Sequence, residues 1–421
     1  MPVFISLEER FARTADGQVW SGSTFSYSFW KRYLDVFEQV RVIARVANVR
    51  TRPRSWKRAD GEGVTFVALP CYVGPLEYAI QFFSMRAAIR KALSRTEAVI
   101  LRVPSPIAHC VGRELAPGQP FGLEVVGDPY EVFAPGSVKH PMRPFLRRFM
   151  TNRLKGQCQE ACALAYVTSG VLQRRFPPKG TAFSTTYSSI ELGDDAFLTN
   201  PRNFVVRTRA ARIVSVGTLE VLYKGFDILI DAVSSCIKAG LQIELVIIGE
   251  GRCRLELQKR AQLCGIEQHI TFAGRVPAGE AVRNELDRAD LFVLASRTEG
   301  LPRAMIEAMA RGLPCIGSAV GGIPELLAPG NLVSPGDTAL LARKIREVLS
   351  DPDRMARMSA ANLARARDYH DSVLTRRRRQ FFTYIREVTQ EWNERDVRVA
   401  PQPDVVGEAR ASRCSANQHT F

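Results

Sequence analysis

Two carboxylates and one ammonium group stand out among the residues able to do chemistry. Glu299 and Glu307 lie in Ser296-Arg297-Thr298-Glu299-Gly300-Leu301-Pro302-Arg303-Ala304-Met305-Ile306-Glu307. The segment follows the apolar run Leu291–Leu294 and reads as a strand end turning into a helix. Pro302 suits a first turn, where its missing N–H costs nothing. A helix start leaves N–H groups free for a ligand. Glu299, at the tip, suits hydrogen bonds from sugar hydroxyls. Glu307, two turns deeper, suits a ribose diol, because ionised carboxylates accept strongly. Gly300 and Leu301 would line the same loop. Taken alone, Glu299 could equally be an N-cap and Glu307 a solvated helix residue. Met305, Ile306 and Met309 argue against that by placing Glu307 beside a buried face.

The ammonium is Lys224, in Val216-Gly217-Thr218-Leu219-Glu220-Val221-Leu222-Tyr223-Lys224-Gly225. A strand, a glycine and a lysine at a helix start suit a diphosphate, with the lysine as a point charge near the leaving oxygens. Gly217 and Thr218 would border that group. Gly249, in Ile248-Gly249-Glu250-Gly251, ends the next strand, and Gly274-Arg275-Val276-Pro277 ends the one after.

The first half offers weaker candidates. Gly22, in Asp16-Gly17-Gln18-Val19-Trp20-Ser21-Gly22-Ser23, could approach a diphosphate from the opposite side, or sit in an ordinary loop. Asp128, before Pro129 at the end of the run Gly122–Val126, is expected to face a cleft and orient a hydroxyl; a turn-forming Asp before proline is the alternative.

These positions need a scaffold of strand ends. Short apolar runs alternate with helical patterns along the chain, which predicts α/β architecture with parallel sheets. The first half gives strands at 40–47, 64–69, 98–103, 122–126 and 163–168, with helices at 27–38 and 75–93. The second gives strands at 212–216, 243–248, 270–272, 291–294 and 314–317. Open parallel sheets bind ligands beyond the carboxyl ends of their strands. The expected division is a first domain over 1–185, a linker over 186–210, a second domain over 211–375, a helix over 376–393 and a disordered tail over 394–421.

A chain of 421 residues fits two domains. Lys and Arg outnumber Asp and Glu by 58 to 43, a net charge of +15. That favours polyanionic surroundings without choosing among phosphates, lipid and nucleic acid. No RNP-like, zinc or basic-zipper signature supports nucleic acid. Nine scattered cysteines read as reduced core thiols of a cytoplasmic protein. The N-terminus does not read as a signal peptide, and no apolar run reaches spanning length. Residues 139–155 are basic and amphipathic, with Phe145 and Phe149 one turn apart. They could lie on an anionic inner membrane face, or form a helix with Arg stems packed along it.

Glu299 and Glu307 with Gly300-Leu301-Pro302 resemble the E-x7-E motif of family 4 retaining glycosyltransferases. Gly321-Gly322-Ile323-Pro324-Glu325 and Ile248-Gly249-Glu250-Gly251 are similar to the same family, over about residues 212–370. The resemblance implies the GT-B fold, two Rossmann-like doubly wound domains facing a cleft. It implies transfer of a sugar from a nucleoside diphosphate to a glycan or lipid-linked acceptor, with retention and no further cofactor. It puts Lys224 at the pyrophosphate and the base near Arg275 and Val276, and returns the 376–393 helix to the first domain. The chain departs from the family in having Thr218 where an arginine is usual, and no histidine near Asp128. Without a DxD-type motif, metal independence is expected. A nucleotide-sugar epimerase on this fold, or a binding module without catalysis, are the other readings.

Overall fold

A computed structural model describes residues 1–52, 54–133, 142–205 and 209–399, with the side chains of 396–399 left out. Two sheets organise the chain. Five strands of the second form a Rossmann core with helices between them, and all six are parallel. Their order is Ile270–Gly274, Ile243–Ile248, Ala211–Val216, Leu291–Leu294, Cys315–Ser318, Leu332–Val333. Numbered along the chain this is 3-2-1-4-5-6, the doubly wound order. The direction of winding reverses between Ala211–Val216 and Leu291–Leu294, so a crevice opens beyond the carboxyl ends of those two strands.

The parallel strands of the first sheet follow the same rule. Val64–Leu69, Val40–Asn48, Val3–Arg13, Ala98–Val103, Gly122–Val125, Ala163–Tyr166 and Phe183–Thr186 lie side by side. Short antiparallel strands at Val19–Ser21 and Lys57–Arg58 fold over one end. The central strand, Val3–Arg13, is absent from the pattern-based expectation. Its alternation breaks at Glu8-Glu9-Arg10, where the register with Val40–Asn48 shifts. Glu8 is placed there by partners from far along the chain: the Tyr72 and Ser105 hydroxyls donate to it at 2.6 and 2.8 Å.

The segment expected to be a plain linker is packed. Phe183–Thr186 is an edge strand, and Tyr187, Ile190, Leu192 and Ala196 are buried beyond it. Arg202 then donates to the carbonyls of Leu286, Ala289 and Arg311 in the second domain. These are backbone acceptors at helix ends, which local sequence does not reveal.

The last helix runs Asp371–Val399, longer at both ends than 376–393. Six residues assigned to a tail, 394–399, are therefore helical; Arg395 pairs with Glu391 one turn back at 3.4 Å. Residues 400–421 lie outside the described residues. The helix crosses to the first sheet. Phe382 stacks on Tyr33 at 4.5 Å and Tyr384 on Phe183 at 4.9 Å, while a Cβ on Gly122 would strike Ile385. Its run of arginines is largely engaged: Arg377 donates to Thr186, Arg378 pairs with Asp371 and Arg379 with Asp35.

Candidate functional site

At the reversal point of the second sheet, two loops converge. One follows Ala211–Val216 and carries Lys224; the other follows Leu291–Leu294 and carries Glu299. Lys224 Nζ donates to Glu299 Oε1 at 2.6 Å, and the Ser296 hydroxyl donates to the same oxygen at 2.7 Å. The side chains of Lys224 and Glu299 are 13% and 7% exposed. The pair is thus held in a mostly desolvated place, where electrostatic interactions are stronger than in water.

Two glycines let the loops approach. Gly225 has φ 69°, and a Cβ there would stand 1.9 Å from the Ala295 carbonyl oxygen. Gly321 has φ 52°, and a Cβ there would stand 2.0 Å from the Glu299 carbonyl oxygen. A side chain at either position would separate the backbones that present Lys224 and Glu299.

Arg297, which sequence reasoning left without a role, locks the same corner. Its guanidinium grips both oxygens of Asp227 at 2.9 and 2.7 Å and donates to the Leu222 carbonyl. Burial pushes the Asp227 carboxyl up, but the Arg297 guanidinium more than offsets it, leaving the group below its ordinary range. Asp227 lies in the first turn of the helix Phe226–Lys238 and Arg297 in the loop before the helix Arg303–Ala310, so their pairing is visible in the sequence only once those two segments are known to adjoin.

The remaining candidates divide. Gly22 and Arg275 meet: Arg275 Nη2 donates to the Gly22 carbonyl at 3.0 Å, joining the two domains. Gly22 itself is close-packed, since a Cβ would stand 2.7 Å from the Trp56 ring. Gly217 lies against the Lys224 side chain, and Gly249 against the Gly217 carbonyl. Val276 and Leu301 are partly buried on the core. Gly300 faces the Val126 carbonyl of the first domain, where a Cβ would come within 3.0 Å. Thr218 presents no charge; its hydroxyl accepts from the Glu220 amide at 3.2 Å. Glu307 is half-buried on the helix Arg303–Ala310; its carbonyl accepts from Arg311 N at 3.2 Å, while its carboxylate has no hydrogen-bond or ion-pair partner among the described residues. Burial pushes its carboxyl up, with Arg303 and Arg283 pulling against that.

Asp128 is a correction. It does not present a free carboxylate to the cleft. One oxygen caps the helix Pro129–Val132 by accepting from Tyr130 N at 2.9 Å, and the other is paired with Arg175. Burial is the main influence on the group and pushes its carboxyl up. The turn-and-cap alternative is the one observed, because a buried carboxylate must be paired.

Glu325 is the residue sequence reasoning missed. Its carboxylate crosses between domains and accepts from Ser169 N at 2.5 Å, Ser169 Oγ at 2.9 Å, Gly170 N at 2.9 Å and Val171 N at 2.7 Å. Three residues earlier, Gly322 N donates to the Gly300 carbonyl at 2.6 Å. The interdomain clamp is therefore one short hydrogen-bonded step from the loop that holds Glu299. Its sequence, Gly321–Glu325, was noticed as a motif, but nothing local showed what the carboxylate grips. Among the described residues, no group of three or more His, Cys, Asp or Glu is placed to hold a metal ion.

This arrangement, two Rossmann-like domains with a charged pair at one reversal point, is the GT-B fold. The chain superposes on sucrose-phosphate synthase from Thermosynechococcus elongatus with a TM-score of 0.66 at 14% identity, over 94% of this chain and 100% of that one. Residues 199–365 match the family described as "Glycosyl transferases group 1". Protein CapJ of Staphylococcus aureus is 26% identical over 333 residues, 77% of this chain and 81% of CapJ. A GDP-mannose-dependent monoacylated alpha-(1-6)-phosphatidylinositol monomannoside mannosyltransferase of Corynebacterium glutamicum is 28% identical over 271 residues, 62% of this chain and 64% of that protein.

Proposed function

We propose that this protein transfers a sugar from a nucleoside-diphosphate sugar to a hydroxyl of a glycan or lipid-linked saccharide, with retention, in the assembly of an envelope or extracellular polysaccharide. The observation that carries the reading is the Lys224–Glu299 pair at the reversal point of a group 1 domain. An ammonium there can take up the charge that develops on a departing diphosphate. Glu299, held by Lys224 and Ser296, retains one oxygen for the sugar hydroxyls. In the reaction the acceptor oxygen bonds to the anomeric carbon as the bond to the diphosphate oxygen breaks. The acceptor proton passes to that departing oxygen on the same face. No carboxylate nucleophile and no metal is required by this route.

The test is transfer from radiolabelled nucleotide sugars, with the donor first chosen by thermal shift against UDP, GDP and ADP sugars. Lys224→Met and Glu299→Ala should each lower turnover about 10²–10³-fold. Glu299→Ala with near-wild-type turnover would sink the assignment. Conversion of the donor without an acceptor would point to an epimerase instead. The anomeric configuration of the product, read by NMR, tests retention.

A further inference from the structure

Each phosphate of a nucleoside-diphosphate sugar is ionised at neutral pH, and the crevice of the second domain has little charge free to meet it. Lys224 is already opposed by Glu299 at 2.6 Å, and Glu307 adds a further carboxylate on the helix that follows. An ammonium shared with a carboxylate does not neutralise a diphosphate, and charge taken out of water without a partner is costly. A further cation is needed.

The second domain narrows the choice. Beyond the carboxyl ends of its strands, and at the helix starts that follow, stand Arg252, Arg254, Arg275, Arg297 and Arg303. All but the last are committed. Arg297 holds both oxygens of Asp227, Arg254 pairs with Glu250 at 2.7 Å, Arg252 pairs with Glu220 at 3.0 Å, and Arg275 donates to the Gly22 carbonyl at 3.0 Å. Arg283, on the next helix, is paired with Asp195 at 2.8 Å. Arg303 is exposed and has no hydrogen-bond or ion-pair partner among the described residues.

Local helix energetics do not account for this arginine. It is the first residue of the helix Arg303–Ala310, whose first turn carries no acid. A cation at a helix N-terminus opposes the macrodipole, and an arginine placed four residues before a glutamate is the less favourable order for that pair. Residues that break a local rule are expected at functional sites. The helix begins at the loop that carries Glu299, and helical side chains lean toward the N-terminus. Arg303 therefore stands between that loop and Glu307, which lies one turn on along the same face.

We infer that Arg303 binds the diphosphate of the donor and supplies the charge that the Lys224–Glu299 pair lacks. The inference rests on the donor reading above, with Glu299 at the sugar and Glu307 at the ribose, so that the diphosphate joining them lies between. Arg303 meets the phosphates from the helix start, and Lys224 meets them from the end of the neighbouring strand.

Binding to the full chain, with charge separated from the rest of the ligand, tests it. UDP, GDP and ADP are titrated by calorimetry, and the one that binds is compared with its own nucleoside by ligand-observed NMR. Arg303→Gln should weaken the nucleoside diphosphate about 10–100-fold and leave the nucleoside unchanged. Arg303→Lys should recover part of that loss, because a point charge remains. The position is exposed, so the Tm of both variants should match wild type. Equal weakening of diphosphate and nucleoside would make Arg303 a support for Glu307 and overturn the inference. So would an Arg303→Gln variant that binds the diphosphate as wild type does, with the donor reading left intact. Wild type that binds none of the three would overturn the donor reading, and this inference with it.

Discussion

The two sheets share one strand order but use their carboxyl ends in opposite ways. In the second domain the reversal point is lined by glycines that admit backbone contact, and the charged pair Lys224–Glu299 sits among them. In the first domain the central strands end in a closed polar cluster. Arg102 pairs with Glu124, both buried, and the Tyr33 and Tyr187 hydroxyls donate to the same carboxylate at 2.9 and 2.8 Å. Burial pushes both phenols up, and the adjacent carboxylate adds to it. Asp128 is closed off likewise by Arg175. The same topology therefore supplies a glycine-lined crevice on one side and a buried, hydrogen-bonded polar cluster on the other. What separates them is how much of each carboxylate is occupied: Tyr33, Tyr187 and Arg102 engage both oxygens of Glu124, whereas Lys224 and Ser296 both donate to Oε1 of Glu299.

The largest effect should come from breaking the closed cluster. Glu124→Leu leaves Arg102 buried and uncompensated, and should cost about 3–5 kcal/mol of stability by denaturant unfolding. Donor affinity, measured by calorimetry below the unfolding range, should hardly move. A loss of donor affinity without loss of stability would erase the contrast between the two sides.

The clamp that joins them comes next. Glu325→Ala removes the acceptor of four donors and should cost about 1–3 kcal/mol. Solution scattering should show a larger radius of gyration as the domains part. An unchanged radius together with an unchanged donor KM would mean that the contact does not hold the cleft.

Glycines sharpen the comparison. Gly225→Ala meets both a positive φ and the Ala295 carbonyl, and should destabilise by about 1–3 kcal/mol with loss of turnover. Gly156→Ala, in a first-domain helix with nothing within 4 Å of the new Cβ, should stabilise by roughly 0.5–1 kcal/mol. Equal effects at the two sites would remove the claim that the second-domain glycines serve close approach.

The smallest effect is one of pH. Burial raises the Glu307 carboxyl above its ordinary 4.5, so the fold favours its neutral form. That contribution is complete below the ordinary value and fades as pH rises through the raised one. Relative to Glu307→Gln, the wild type should therefore lose stability from acid toward neutral pH. A Tm difference that stays flat across that range would contradict it.

Much of the second domain was legible because its signals are local. Strand, glycine and helix follow one another within about ten residues, and central runs such as Leu291–Leu294 and Cys315–Ser318 are buried on both faces, as parallel sheets require. Lys224 and Glu299 could be nominated because each stands at a strand end. The first domain was less legible for a physical reason. Its central strand breaks its apolar alternation at Glu8, whose partners Tyr72 and Ser105 are distant. Asp128 carried two readings in the sequence, and Arg175, forty-seven residues on, decided between them.

By itself the sequence determined the α/β class, the positions of most strands, and the residue types able to meet a diphosphate and sugar hydroxyls. Those follow from periodicity and from the strand–glycine–helix order, which need only neighbours in the chain. Tertiary structure alone decided which charges are spent and which are available. It gave Glu325 to the opposite domain, closed Asp128 and Glu124 inside ion pairs, and set Lys224 against Glu299. What a charged group can still bind depends on which of its atoms partners already occupy, and such partners come from segments that sequence distance keeps apart.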